Sequence, residues 1–239
     1  ESVKVMNSLM VYKKTNAFDI VPHLSHLLSH DSEKVRIEAV KIVKRQRDPK
    51  FLEQILKLLS NETRRVKAEA IRVIAVLAPA QKKELIRPFL QSTDPGLVCA
   101  AITSLSYEES QDGPAHKRLQ QLLALGKIGP APERRETAKL LGELPVQYHE
   151  HLVTYLEDSD ISVQKLALFA AGKSKNLMLI PTLLQLLANR KVRIEAREAL
   201  IQYGDQAVPS VRKGLDDYNL PITIRLQFPR LLRLIGTET

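Results

Sequence analysis

The sequence lacks the features of membrane-spanning and disulfide-bonded proteins. Its 239 residues include one cysteine, Cys99, so no disulfide can form within the chain, and we expect a reducing compartment. No run of about 18 apolar residues could form a transmembrane helix. The N-terminus also lacks the basic stretch and short apolar run of a secretory signal. We therefore expect a cytoplasmic protein, or the cytoplasmic module of a membrane-associated protein.

Motifs of known catalytic chemistry are missing as well. The chain has no glycine-rich phosphate loop, no nucleophile elbow and no Cys/His metal framework. His23, His26 and His30 share one edge of a predicted helix, but no Cys, Asp or Glu is fixed beside them, so surface histidines explain this spacing more simply than a metal site. We predict no catalytic residue, no metal and no cofactor, and therefore a protein that is not an enzyme.

The chain is rich in positive charge. Its 36 Lys and Arg residues exceed its 27 Asp and Glu residues, which gives a net charge of +9 and is compatible with an acidic partner. Hydrophobic residues make up 44% and charged residues 26%, which is typical of a soluble, folded protein.

A hexamer recurs along the chain. Lys-Val-Arg-Ile-Glu-Ala occupies residues 34–39 and again 191–196. Aligning on its alanine finds further copies, separated by 31, 31, 37, 29, 29 and 32 residues, which is the signature of a helical repeat array. The aligned residues are Ala39, Ala70, Ala101, Ala138, Ala167, Ala196 and, more weakly, Phe228.

Each repeat has the pattern of two helices. In the first copy, Leu24, Leu27 and Leu28 form an i, i+3, i+4 stripe, and a polar turn then precedes a helix that starts near Val35. We expect one domain over residues 1–239, whose repeats span approximately 17–47, 48–78, 80–107, 114–145, 146–174, 175–203 and 204–236. Polar or proline-rich loops at 107–114 and 126–132 explain why one spacing, at 37 residues, is longer than the others.

Paired helices, an Asp-containing turn and a Val-Arg-x-x-Ala second helix resemble HEAT repeats of the short, PBS-lyase HEAT-like type, over roughly residues 20–235. The resemblance implies an all-α, right-handed α-solenoid (a superhelix) of about six to seven helix pairs, with the second helices on the concave face. Such proteins are mostly scaffolds. Residues 224–230 are also similar to HEAT segments of bacterial nucleotide-transporter-like membrane proteins, so the chain is expected to be a soluble module of a larger bacterial protein.

Two enzyme families are built on this architecture, and the chain departs from both. HEAT-repeat iron hydroxylases need several His-Glu pairs, whereas His149-Glu150-His151 supplies one such pair. HEAT-like DNA glycosylases surround the damaged nucleotide with aromatic side chains that include Trp, and this chain has no Trp.

A basic residue follows the repeat's Val or its equivalent. These residues could contact phosphates, or they could brace the turns and adjacent repeats, and we expect the bracing role because the position belongs to the repeat pattern itself. They are Arg36, Lys67, Arg135, Arg193 and Arg225.

One row of each second helix is predicted to be exposed. Positions −1, +3, +6 and +10 relative to the Val lie opposite its buried stripe. In the first two repeats this row is charged and includes Lys41 and Arg72, and Lys34 and Glu38 are spaced as an i, i+4 ion pair. Summed over all seven repeats, the row has eight basic and five acidic residues.

In the middle repeats the same row is small or apolar. An exposed apolar patch with a charged rim is typical of a partner-binding surface. Two alternatives remain: the helix phase could differ by one residue, which would place the row in the core, or the loops could cover it. The row includes Tyr107, Leu140, Leu144, Leu166 and Phe169.

We therefore predict a monomeric, non-enzymatic scaffold that binds a protein partner, or a neighbouring domain of its own chain, through the concave surface. The predicted partner-binding residues are Tyr107, Leu140, Leu144, Leu166, Phe169, Lys41 and Arg72. The alternative is a nucleic-acid-binding protein, similar to the DNA-repair glycosylases, with a basic concave face, because the second-helix segments hold 23 basic and 10 acidic residues.

Overall fold

The computed structural model describes residues 2–15, 19–106 and 112–236, and within these residues its regular structure is entirely helical. The predicted all-α fold of repeated helix pairs is confirmed. The chain forms two compact units, residues 1–120 and 121–239, called here the N-terminal half and the C-terminal half. None of the described helices is long and apolar enough to cross a membrane.

Helix pairs build the N-terminal half. Short 3-10 turns at residues 21–23, 49–51 and 87–91 lead into or extend the first helices of the pairs. The helices are α1 (Ser2–Thr15), α2 (Leu24–Leu28), α3 (Glu33–Gln46), α4 (Leu52–Asn61), α5 (Arg64–Leu77), α6 (Lys82–Ile86), α7 (Pro95–Leu105) and α8 (Pro114–Leu125), the last of which continues into the other half.

The C-terminal half continues the same pattern. Its 3-10 turns lie at residues 126–128, 146–151, 177–179 and 204–207. Its helices are α9 (Ala131–Leu141), α10 (Leu152–Leu156), α11 (Ile161–Ser174), α12 (Ile180–Leu186), α13 (Arg193–Tyr203), α14 (Val208–Leu215), α15 (Ile222–Arg225) and α16 (Phe228–Ile235). The second helix of the last repeat is therefore divided in two, and α16 carries Pro229 at its start.

The recurring spacing of Val and Ala produces the core. Val35, Ala39, Val66 and Ala70 are completely buried, as are their counterparts in α11. Because alanine is small, successive second helices pack side by side: α3 lies on α5 and α5 on α7 in the N-terminal half, and α9 lies on α11 and α11 on α13 in the C-terminal half. Each buried Val contributes roughly 1.5–3 kcal/mol relative to an exposed one.

Glycines let the second helices of the C-terminal half approach very closely. A Cβ added to Gly142 would lie 2.7 Å from the Cβ of Ala170, and one added to Gly172 would lie 2.9 Å from the Cα of Ala199. The contact between α11 and α13 is therefore made partly by backbone atoms, and it leaves no space for a side chain at Gly172.

The basic residue of the repeat braces turns, as predicted for Arg36, Lys67 and Arg193. Arg36 donates hydrogen bonds to the carbonyls of His30 (2.6 Å) and Asp31 (2.8 Å), and its guanidinium also binds the Glu62 carboxylate at the next turn. Lys67 donates to the carbonyl of Ser60 and Arg193 to those of Leu187 and Ala188.

Two repeats fill this bracing role with other residues. Arg134, one position before the predicted Arg135, donates to the Gly129 carbonyl and to both carboxylate oxygens of Asp158, at 2.8 and 3.1 Å. The hydrogen bond with Asp158 raises the pKa of Arg134 above its ordinary value. In the following repeat Gln164 donates to the carbonyl of Leu156, so an amide replaces the guanidinium there.

Candidate functional site

The structure separates the predicted partner-binding residues into three groups. Tyr107 lies outside the described residues. Leu140 is only 2% exposed and Leu144 only 4% exposed, so neither offers a free apolar surface. Leu166 is half-buried and Phe169 is 61% exposed, and both lie on α11. Among the described residues of the predicted row in the middle repeats, the exposed apolar side chains therefore lie on α11.

The two leucines are buried for different physical reasons. This helix ends at Leu141, so Leu144 follows it in a turn, where the helical progression of 100° per residue no longer applies. Leu140 lies on the last turn of α9, which packs on α10 and α11. By contrast, α11 runs for 14 residues, and the row keeps its predicted exposure there.

Phe169 stands between two ion pairs that join α11 to its neighbours. One turn before it, Lys165 binds the Glu195 carboxylate of α13 at 2.6 Å. One turn after it, Lys173 lies 3.6 Å from the Glu143 carboxylate, which follows α9. We call Phe169, Leu166 and these two ion pairs the Phe169 patch.

The charged form of Glu195, one residue of the Phe169 patch, is stabilised by its lysine partner. Burial pushes the pKa of Glu195 upward, but the hydrogen bond from Lys165 and the positive charge of that lysine outweigh it, so the pKa of Glu195 lies below its ordinary value. An exposed aromatic ring on a rigid helix, with a charged side chain on each side, can bind an apolar side chain while the rim pairs with polar groups around it.

Lys41 and Arg72 lie in the N-terminal half, on α3 and α5. Lys41 binds Glu38 at 3.0 Å and Arg72 binds Glu69 at 3.4 Å, both within one helix at i, i+3 spacing. Both cations are partly buried. Their charges are therefore matched within their own helices. The exposed cations of α3 and α5 are other lysine and arginine residues.

The histidines do not converge on a metal site in the described part of the chain. His23 and His26 are exposed, and the Nδ1 of His30 accepts a hydrogen bond from the backbone N–H of Ser32. His149 is buried, with its Nε2 at 2.8 Å from the carbonyl oxygen of Leu144. Nowhere among the described residues do three His, Cys, Asp or Glu side chains gather as metal ligands would.

The ion pairs between repeats are the site feature that helix-by-helix sequence reasoning missed. Lys165 occupies position +2 of its repeat and Glu195 position +3 of the next, so they are separated by one repeat length plus one residue. Opposite charges at that offset were visible in the sequence. They could have been recognised by comparing each repeat with the following one.

Comparison with known proteins finds similarity to solved structures at low sequence identity. The chain is similar to human deoxyhypusine hydroxylase, at 13% identity over 98% of this chain and 90% of that one, with a TM-score of 0.43. It is also similar to YibA of E. coli, at 16% identity over 94% and 87% of the two chains, with a TM-score of 0.48. No protein-family model matches the chain, and no curated protein matches it at a significant level.

The first of these similarities corrects the functional prediction. Deoxyhypusine hydroxylase is an enzyme, and it shares the HEAT-like architecture. The prediction that the protein is not an enzyme, and with it the assignment as a non-enzymatic scaffold, was therefore wrong. A repeat architecture of stacked helices does not exclude catalysis. The comparisons do not favour the nucleic-acid alternative either.

Proposed function

We propose that this chain binds an amphipathic helix of a protein partner at the Phe169 patch. The observation that supports this proposal is the 61% exposure of Phe169 in the middle of a 14-residue helix, between two ion pairs that link neighbouring helices. The proposal concerns binding alone. Other exposed apolar side chains of this half include Met178, which lies on a short 3-10 turn, and Ile194, which is 58% exposed on the first turn of α13.

The chemistry of the patch defines the partner. Covering the exposed part of a Phe side chain supplies roughly 1–2 kcal/mol, since complete burial is worth roughly 1.5–3 kcal/mol. An apolar residue of the partner helix would contact Phe169 and Leu166. Charged residues one turn away on that helix would face the Lys165 and Lys173 ion pairs. This arrangement is the helix-in-groove mode of recognition.

A photo-crosslinking amino acid at position 169 tests the proposal. The same amino acid at position 178 is the matched control, because Met178 is an even more exposed apolar residue of the same half. We expect one protein to be crosslinked from position 169 and not from position 178. The crosslinked protein is then purified, and its affinity for the unmodified chain is measured.

The decisive comparison is between Phe169→Ala and Met178→Ala. Loss of the Phe ring should weaken binding of the purified partner by about 5- to 30-fold, which corresponds to roughly 1–2 kcal/mol. Met178→Ala should leave the affinity unchanged. Equal affinity of Phe169→Ala and the unmodified chain would remove the Phe169 patch as the binding site.

We further propose that this binding takes place in the cytoplasm and that the repeats are of the short HEAT-like type, in a module of a larger bacterial protein. The support for a reducing compartment is that Cys99 is the one cysteine of the chain and is buried on α7. The support for the short type is the spacing of 29 to 32 residues between most copies of the repeat.

A further inference from the structure

Two adjacent helices of the N-terminal half carry a group of exposed cations. The side chains are Lys34, Lys44, Arg45 and Arg47 on or just after α3, and Arg64 and Arg65 at the start of α5. Arg64 lies 3.3 Å from the Asp94 carboxylate. For the other five, no carboxylate of the described residues lies within ion-pair distance, so these charges have no internal role in the described structure.

The exposed cations form two clusters at opposite ends of the helix pair. Lys34 and Arg65 occupy the same repeat position at the N-terminal ends of α3 and α5, which pack side by side. Arg45 lies on the same face of α3 as Lys34, eleven residues further on, and Lys44 adjoins it. At 1.5 Å per residue, the two clusters are about 16 Å apart.

The surface between the clusters is electrically neutral. Here Lys41 is bound to Glu38 and Arg72 to Glu69. Glu38 is buried, at only 8% exposed, and Glu69 is half-buried. A ligand that lies along this face meets positive charge, then matched pairs, then positive charge again.

This charge pattern discriminates between classes of polyanion. A nucleic acid strand carries one phosphate about every 3.4 Å, so its middle phosphates would lie over Glu38 and Glu69. A polypeptide, by contrast, can carry acidic residues only at the positions that contact the two clusters and uncharged residues over the neutral surface between them. In an extended chain at about 3.3 Å per residue, five residues cover the distance between the clusters.

We propose that the face of α3 and α5 binds an extended, acidic segment of a protein, with two acidic groups about five residues apart that contact the Lys34/Arg65 and Lys44/Arg45 clusters. This proposal is independent of the Phe169 patch. It concerns different helices, a different half of the chain and a ligand of different chemistry, so either proposal can fail alone.

Labelled peptides test the spacing directly. The first peptide carries two adjacent glutamates at each end of a Gly-Ser-Gly spacer, and the second carries the same four glutamates without a break. A third has glutamine in place of every glutamate, and an oligothymidylate of equal charge represents nucleic acid. Binding to the full chain is measured by fluorescence anisotropy at low ionic strength, where exposed charges are least screened. We expect the spaced peptide to bind most tightly and the glutamine peptide not to bind.

Matched charge variants locate the site. Lys34→Gln with Arg65→Gln removes one cluster, and Lys57→Gln with Lys83→Gln removes the same charge from exposed first-helix positions of the same half. Loss of two exposed charge contacts should weaken binding of the spaced peptide roughly 2- to 30-fold. The control pair should leave it unchanged. Because all four side chains are exposed, both variants should keep the circular dichroism spectrum of the unmodified chain.

Four results would overturn the proposal. The spaced peptide could fail to bind at low ionic strength, or bind no better than the contiguous one. The two charge variants could weaken it equally, which would indicate attraction by net charge alone. The oligothymidylate could bind more tightly than the spaced peptide, which would assign the surface to nucleic acid.

Discussion

Replacement of Gly172 by alanine should loosen the contact between α11 and α13. The new Cβ would lie 2.9 Å from the Cα of Ala199 and 3.1 Å from the side-chain amide carbon of Gln202. The Gln202 side chain can rotate away. The Ala199 Cα belongs to the backbone of α13, so relief there requires the whole helix to move.

Two opposing effects set the size of the change. Carbon atoms pack best at about 3.5–4.0 Å, so the overlap is roughly 0.6–1 Å, and overpacking of this kind costs about 1–3 kcal/mol. Alanine is favoured over glycine within a helix by about 1 kcal/mol, which offsets part of the cost. We expect a net loss of about 1 kcal/mol for Gly172→Ala. Gly172→Val should lose more than about 2 kcal/mol, because valine adds two further methyl groups and gains less as a helix former.

Thermal unfolding followed by circular dichroism measures this effect. A loss of about 1 kcal/mol should lower the Tm by roughly 2–4 °C in a chain of this size. The control is Gly129→Ala, where the added Cβ would meet its nearest neighbour at 3.4 Å and the backbone φ is −65°. That variant should leave the Tm unchanged or raise it slightly. If Gly172→Ala raised the Tm, α11 and α13 would not be in the close contact from which the loss was calculated.

Two further predictions concern buried polar groups of the C-terminal half. Asp158→Asn should destabilise the chain by about 2–3 kcal/mol in denaturant unfolding, because Arg134 would lose its carboxylate partner, whereas an unchanged stability would contradict a bracing role. The Tyr203 hydroxyl lies 3.0 Å from the carbonyl oxygens of both Ala171 and Asn176, which share its one proton, and burial raises its pKa from 10.0 to about 12. Because the pKa is higher in the folded state, the neutral Tyr203 hydroxyl makes its full contribution to the free energy of unfolding below pH 10. That contribution is lost as the pH rises towards 12. Tyr203→Phe should therefore be less stable than the unmodified chain at neutral pH, by about 1–2 kcal/mol, and the difference should shrink between pH 10 and 12; a constant difference would argue against the shifted titration.

The parts of the fold that repeat could be predicted from the sequence. Val35 and Ala39 recur at the same spacing in later repeats, and an apolar pair at i, i+4 can be buried only on one side of a helix. The role of Arg36 followed for the same reason, since a residue that belongs to the repeat pattern serves the repeat. Its contact with Glu62 at the next turn joins one repeat to another.

Features that depend on helix length or on a neighbouring helix could not be predicted in the same way. The exposure assigned to Leu144 assumed that its helix continued, whereas α9 ends at Leu141. The sequence also paired Glu38 with Lys34 by their i, i+4 spacing. The structure pairs Glu38 with Lys41, at i, i+3, and a choice between two equally near lysines depends on side-chain conformations that sequence spacing does not determine.

The candidate surfaces emerge when the residues with structural roles are set aside. Lys165, Lys173 and Arg64 are exposed, yet each reaches a carboxylate on another helix or turn, so their charges are used in joining repeats. Phe169 and the cations represented by Lys34 perform no such task, although exposing a phenylalanine forgoes burial energy and like charges on adjacent helices repel each other. A partner that binds such residues can offset the lost burial energy or the charge repulsion, so they are the best candidates for a binding surface. One apolar surface and one basic surface remain, and the two sets of variants test them separately.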